Sequence, residues 1–307
     1  MNNKRVLVTG ASGFVGHHMI EHFLKNTDWD IVTLDRLSHT TSNGFDRLRD
    51  IDAFDNKRIT RYTHDLNQPI GEGMQYELGQ FNYIVHVAAA SHVDNSIDDP
   101  IPFIMNNVKS CLEMLEFART QTNLEKFIYF STDEVYGTAP QGVNYKEGDR
   151  YNSGNPYSAS KASAEQCCYA YSNTYKLPIM ITNGMNILGE RQHPEKYLPK
   201  IINYVLDQKV LPIHSNAEKT QPGMRHYIHA RNVSDAVLFI LNNVSETLDN
   251  IDSSKGKFHI VGEKEMDNLQ LAQLVAKYVP NKELQYELVD FHSSRPGHDL
   301  RYAMSGE

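Results

Sequence analysis

Thr9-Gly10-Ala11-Ser12-Gly13-Phe14-Val15-Gly16 ends an apolar run, Val6 to Thr9, and opens a segment with apolar residues three or four apart, Phe14 to Lys25. Glycine at Gly10, Gly13 and Gly16 permits a tight turn, close backbone approach to a pyrophosphate and close packing of helix on strand, and the helix N-terminus adds N–H donors. A lone glycine pattern is a weak signal. Here a strand precedes it, a helix follows it, and a second strand ends in Asp35, near the expected separation of about 20 residues. Asp35 is placed to accept hydrogen bonds from the adenosine ribose hydroxyls and to repel a 2′-phosphate, which predicts NAD rather than NADP. Arg36 reads either as a partner for such a phosphate or as a solvated charge.

Outward from this stretch, short apolar runs alternate with helix-like segments. The runs are Val6 to Thr9, Ile31 to Asp35, Ile59 to Tyr62, Tyr83 to Ala88, Phe127 to Ser131 and Ile179 to Thr182. Helices are expected over Phe14 to Lys25, Ile101 to Thr120 and Ser158 to Tyr175. This alternation predicts an α/β fold, a Rossmann-type parallel sheet with both faces covered. After about Gly184 the pattern loosens, with helix-like stretches at Glu195 to Asp207, Asn232 to Asn242 and Asn268 to Tyr278 among shorter strands. Residues 1–183 are read as the dinucleotide-binding domain and residues 184–307 mainly as a smaller C-terminal substrate-binding cap. No linker or internal repeat separates the two, so close packing is expected, with the active site in the crevice at the carboxyl ends of the strands.

Composition narrows the function classes. The 307 residues carry a formal net charge of −8, and no stretch concentrates Lys and Arg, which argues against nucleic acid as a partner. An anionic substrate must then be held by individual arginines, lysines and helix N-termini, because the field of the whole protein opposes it. No apolar run is long enough for a membrane span and no signal peptide precedes the first strand, so a soluble, cytoplasmic protein is expected. The three cysteines, Cys111, Cys167 and Cys168, suggest neither a disulfide framework nor a metal site. The fourteen histidines include no HExxH pattern, and no metal is expected.

Two further segments carry chemistry: Ser131-Thr132-Asp133-Glu134-Val135-Tyr136-Gly137, ending a strand, and Tyr157-Ser158-Ala159-Ser160-Lys161, opening a helix. Tyr157 and Lys161, four apart, share a helical face. A nearby ammonium favours the phenolate, which would make Tyr157 a base toward a sugar hydroxyl while Lys161 holds the nicotinamide ribose.

With the glycine-rich stretch and Asp35, these segments resemble the extended short-chain dehydrogenase/reductase family over the whole length of the chain. Asp133-Glu134 resembles the signature of its nucleotide-sugar 4,6-dehydratases. The stretches His86 to Asp94, Pro194-Glu195-Lys196 and Arg295 to Ala303 tighten that likeness. The resemblance implies an NAD-dependent lyase that converts a nucleotide sugar, dTDP-glucose or UDP-glucose, to the 4-keto-6-deoxy sugar. It also implies a homodimer built on the helices around Ile101 to Thr120 and Ser158 to Tyr175.

By the same resemblance Tyr157 takes the proton of the sugar 4-hydroxyl while Thr132 holds that oxygen. Glu134 then removes the C5 proton, Asp133 protonates the departing 6-hydroxyl, and NAD stores the hydride in between. Phe14, Val15, Arg36, Ser38, Asp65, Leu66, Ala88 and Ala89 would complete the cofactor site, and Ser91, Thr132, Asn186, Lys196, Arg225 and Arg295 would contact the sugar nucleotide. The sequence departs from the family pattern at Ala90, commonly glutamate, at Asn106, commonly threonine, and at His226-Tyr227 after Arg225, commonly Asp-Trp. Two rivals stand beside this reading: an NAD-dependent UDP-sugar 4-epimerase or decarboxylase on the same scaffold, disfavoured by Asp133-Glu134, and an NAD-binding protein without catalysis.

Overall fold

The computed structural model describes residues 3–37, 46–290 and 300–307. Strands β1 (Arg5–Thr9), β2 (Asp30–Asp35), β3 (Ile59–Thr63), β4 (Tyr83–His86), β5 (Lys126–Thr132) and β6 (Ile179–Gly184) form a parallel sheet, joined by β10 (Lys257–Ile260). Its order is β10-β6-β5-β4-β1-β2-β3. The order reverses between β1 and β4, which is where open α/β sheets leave a crevice for a ligand.

The apolar runs are explained by two-sided burial. Along β1, Val6 and Val8 face one layer and Leu7 the other, as the two-residue period of a strand requires. On the first face, Met19, Ile20 and Phe23 of α1 (Phe14–Asn26) and Val233, Val237 and Ile240 of α8 (Ala230–Asn243) cover Val6, Val8, Ile31, Val85 and Ile128. On the second, Met114, Leu115, Phe117 and Ala118 of α5 (Pro100–Arg119) and Ala164 and Cys168 of α6 (Pro156–Tyr175) cover Leu7, Val32, Ile84, Phe127 and Tyr129.

Short helices α2 (Asp46–Asp50), α3 (Glu72–Leu78) and α4 (Val93–Asp98) fill the connections. The first two are brief and polar, and carry little periodic signal. The rest of the chain forms a small layer of β7 (Asn186–Leu188), β8 (Val210–Ser215), β9 (Met224–His229), β11 (Glu265–Asp267) and β12 (Gln285–Asp290) with α7 (Tyr197–Leu206) and α9 (Asn268–Ala276). It has its own core of Ile201, Val205, Leu211, Ile213 and Leu271.

Not all of the chain beyond residue 184 lies in this smaller layer. Beyond that point α8 packs against α1, and β10 pairs in parallel with β6, Ile260 beside Gly184. The chain thus leaves the sheet, builds part of the cap, returns to extend the sheet, and leaves again. A linear cut misses this because strand pairing is a long-range contact with no local sequence mark. Among the described residues no helix is long and apolar enough to cross a membrane.

Candidate active site

The carboxyl ends of β1, β2, β4, β5 and β6 open onto a cavity of about 630 Å³. Its nucleotide end is shaped by backbone. Gly10 has φ +69°, and a Cβ there would lie 2.8 Å from Ala88 Cα, while a Cβ on Gly16 would overlap the Gly10 carbonyl oxygen. Only glycine permits this closeness of α1, β1 and the loop after β4. Helix α1 starts after Gly13 without a side-chain cap, so its first N–H groups are left for an anionic ligand.

Side chains fix the loops around it. Thr9 Oγ1 lies 2.7 Å from His86 Nδ1 and accepts a 3.2 Å hydrogen bond from Ala88 N–H. Burial drives the His86 pKa down to about 3, so the ring there is neutral. Asn107 of α5 receives Ala90 N–H (2.8 Å) and donates to Ala90 O and Ser160 Oγ, both at 2.9 Å. Asp35 is buried at the end of β2, where Oδ2 accepts from Ser12 N–H (3.1 Å) and Oδ1 from Leu37 N–H (2.8 Å). Burial raises its pKa, and those backbone donors pull it back. Arg36 is exposed but engaged: it donates to Asn106 Oδ1 at 2.9 Å and lies 3.7 Å from Asp65 Oδ1.

Thr132 ends β5, and Asp133 and Glu134 begin a short 3-10 helix, Asp133–Tyr136. Thr132 Oγ1 donates to Asp133 Oδ1 at 3.0 Å. The other oxygen, Asp133 Oδ2, is buried without a hydrogen-bond partner among the described residues. Burial, reinforced by the Glu134 charge, raises the Asp133 pKa to about 7, with Arg225 and the Thr132 bond acting the other way. Glu134 is half-buried, and its Oε2 accepts from Asn155 Nδ2 at 3.0 Å. Asn155 is also the N-cap of α6, its Oδ1 accepting Ser158 N–H at 2.8 Å in a capping box. One residue therefore sets Glu134 against the helix turn that carries Tyr157.

Tyr157 is held well above the usual phenol range by burial first and by Glu134 and Asp133, against a hydrogen bond with Thr132. The expected help from Lys161 takes another form. Lys161 Nζ donates to Phe130 O at 2.6 Å and sits 4.2 Å over the Tyr129 ring, and burial lowers its pKa to about 8. The two residues share a helix face, but the lysine stem runs down onto β5, where the Phe130 carbonyl accepts its hydrogen bond.

The cavity is lined by Gly10, Gly13, Phe14, Val15, Gly16, Asp35, Arg36, Asp65, Leu66, Ala88, Ala89, Ser91, Thr132, Asp133, Glu134, Tyr157, Lys161, Asn186 and Lys196. All of these stood among the expected site residues. Arg225 does not line it. The cap strand β9 turns its guanidinium to Leu300 O (2.8 Å) and over the Tyr302 ring at 4.6 Å, although its charge reaches Asp133. Ser38 and Arg295 lie outside the described residues. Sequence reasoning missed Asn155, Asn107 and Tyr227, which lines the cavity and donates to Asn268 Oδ1 at 2.7 Å. Asn155, three before Ser158 at a helix start, had a readable capping signal, and Tyr227 stood out only as a departure from the family pattern, whereas Asn107 had none.

Comparisons with known proteins agree with this geometry. The chain is 31% identical over 324 residues to a dTDP-glucose 4,6-dehydratase of Escherichia coli, covering 99% of this chain and 85% of that one. The DesIV dTDP-glucose 4,6-dehydratase of Streptomyces venezuelae, solved with NAD bound, superposes with a TM-score of 0.82 at 28% identity, over 98% of this chain and 88% of that one. A UDP-glucuronic acid 4-epimerase of Bacillus cereus has the same fold, with a TM-score of 0.84 at 23% identity over 98% and 90% of the two chains. Residues 6–252, from the first strand past the sixth and including the glycine turn, Asp133-Glu134 and Tyr157, match the NAD dependent epimerase/dehydratase family, and to that family this chain belongs.

Proposed function

We propose that the protein is a nucleotide-sugar 4,6-dehydratase acting on a nucleoside-diphosphate glucose, dTDP-glucose or UDP-glucose. The observation that carries this is the pair Asp133 and Glu134: one carboxyl buried, unpartnered at Oδ2 and raised to about 7, the other held by Asn155, both facing the same cavity as Tyr157. Loss of water needs an acid and a base of opposite protonation state, and adjacent carboxyls with different environments supply that division. Epimerisation needs neither.

NAD fits the nucleotide end. Gly10, Gly13 and Gly16 leave room for its pyrophosphate, the open N-terminus of α1 faces that charge, and Asp35, Asp65 and Leu66 take the adenosine. When bound it supplies a reversible two-electron acceptor beside the sugar. Tyr157 would then take the proton from the 4-hydroxyl once the positive nicotinamide offsets the burial and the Glu134 and Asp133 charges that hold its phenol up, and Thr132 would orient that oxygen. Once C4 is a ketone the C5 proton is acidic, and Glu134 accepts it. Asp133 delivers its proton to the 6-hydroxyl as water leaves, after which C6 would regain the stored hydride and C5 the proton held by Glu134, so that the net loss is one water. Ser91, Asn186 and Lys196 lie at the cap side, where the diphosphate needs local positive charge in an otherwise acidic protein. Arg225 acts through Asp133.

A homodimer fits the surface of α5, where Ile101 and Met105, one turn apart, are 74% and 56% exposed. Incubation with NAD and dTDP-glucose, UDP-glucose or GDP-mannose, followed by mass spectrometry, tests the assignment. A product lighter by one water from one of the two glucose nucleotides is expected. An isomer of unchanged mass would restore the epimerase reading.

A further inference from the structure

Three donors that the proposed dehydration does not use converge at the rim of the cavity. His92 immediately precedes α4, and His193 and Glu195 lie in the turn before α7, so about 100 residues separate donors that only the fold brings together. One ligand atom from each lies within 4.8 Å of the others. Glu195 Oε2 is shared, 3.1 Å from His92 Nε2 and 3.6 Å from His193 Nδ1. The rings stand edge to face, 6.1 Å apart at 84°, and do not stack.

The pairing leaves His92 incompletely satisfied. Its Nε2 is screened from solvent and makes no hydrogen bond among the described residues, despite facing a carboxylate. The one hydrogen bond that His193 Nδ1 accepts among the described residues is long, 3.4 Å, from the Glu195 N–H. Two imidazoles and one carboxylate suit a borderline ion rather than magnesium or calcium. Metal–ligand bonds of about 2.0–2.2 Å in a tetrahedron put neighbouring ligand atoms about 3.4 Å apart, close to the separations from Glu195.

We propose that His92, His193 and Glu195 form a binding site for one divalent transition ion of the zinc class at the mouth of the cavity. Three protein ligands leave the rest of its shell to water or to an anionic group in the cavity. The claim concerns binding and stands whether or not the protein dehydrates a sugar.

The test is titration of the full chain, dialysed free of metal, with Co²⁺. The d–d absorption of a low-coordinate site should saturate at one equivalent and be erased by Zn²⁺. His193→Gln and Glu195→Gln should each weaken Co²⁺ binding about tenfold or more, with circular dichroism confirming the fold. His229→Gln, which alters the separate group His18, His229 and Glu190, should leave the spectrum unchanged. If His193→Gln does not fold, Glu195→Gln carries the same reading. Absence of d–d bands, or bands insensitive to both substitutions, would overturn the proposal.

Discussion

Asn155 Nδ2 donates a 3.0 Å hydrogen bond to Glu134 Oε2 while Asn155 Oδ1 caps α6 through Ser158 N–H at 2.8 Å. The cap that starts the catalytic helix is therefore also the clamp on one catalytic carboxylate. The amide holds the Glu134 carboxyl beside the turn that carries Tyr157.

Glu134→Gln should allow oxidation at C4 and block elimination, since an amide keeps the shape but cannot accept the C5 proton. Loss of a general base typically slows the step about 100-fold to 10,000-fold. With substrate and NAD, the absorbance of reduced nicotinamide should build up on Glu134→Gln. It should be missing in Tyr157→Phe, where the first proton has no acceptor. Full formation of 4-keto-6-deoxy product by Glu134→Gln would sink the assignment.

Asp35 should set the choice of dinucleotide. Its carboxylate is fixed by Ser12 and Leu37 N–H, so the charge is held at the end of β2, while Arg36 is committed to Asn106 and Asp65. Asp35→Ala should weaken NAD and relieve the repulsion of a 2′-phosphate, lowering the NAD:NADP affinity ratio about tenfold by calorimetry. An unchanged ratio would place discrimination elsewhere.

What was legible in the sequence was what is local. The glycine turn, Asp35, Asp133-Glu134 and Tyr157 are each set by a few consecutive residues, and the main helices and strands follow from short periods. The Asn107 clamp on Ala90, the Thr9–His86–Ala88 contact and the rotation of Arg225 away from the cavity depend on partners between 17 and 79 residues away. No local pattern encodes those. The sequence spacing of Tyr157 and Lys161 gave the shared face but not the depth at which the ammonium meets Phe130 O.

A buried ion pair supports the same strand end. Lys257 of β10 lies 3.0 Å from Glu165 of α6, both side chains fully buried, and Glu165 also accepts from Ser131 (2.5 Å), Asn183 (2.8 Å) and Tyr151. Removing one partner of such a pair costs about 3–5 kcal/mol, because the other charge is left uncompensated. Lys257→Met should destabilise by that order in urea unfolding, and Glu165→Gln added to it should recover part of the loss. Equal stability of the single and double variants would mean the charges are not coupled.

Self-association should run through α5 and α6. Ile101→Glu with Met105→Lys places charge on the exposed apolar turn of α5 without touching the cavity. Sedimentation should show a dimer for the parent chain and a monomer for the variant. A monomeric parent at micromolar concentration would remove the homodimer.

Asp133 connects activity and stability through one titration. Its folded-state pKa of about 7 lies above the ordinary 3.8, so between those values the native state holds a proton that the unfolded state has released. The stabilisation that goes with this protonation is complete below about 3.8 and is lost as pH rises through about 7. Asp133→Asn cannot ionise, so it should be more stable than the parent by about 1–3 kcal/mol at pH 8, with the gap closing toward pH 4. Catalysis should follow the same proton. As the acid for the departing 6-hydroxyl, Asp133 must be protonated, so kcat/KM should fall as pH rises through about 7. Asp133→Asn should lose that alkaline limb along with most of the product formation. A parent profile flat from pH 6 to 9, together with no stability gain in Asp133→Asn at pH 8, would show that Asp133 is ionised in the native protein and cannot be the acid.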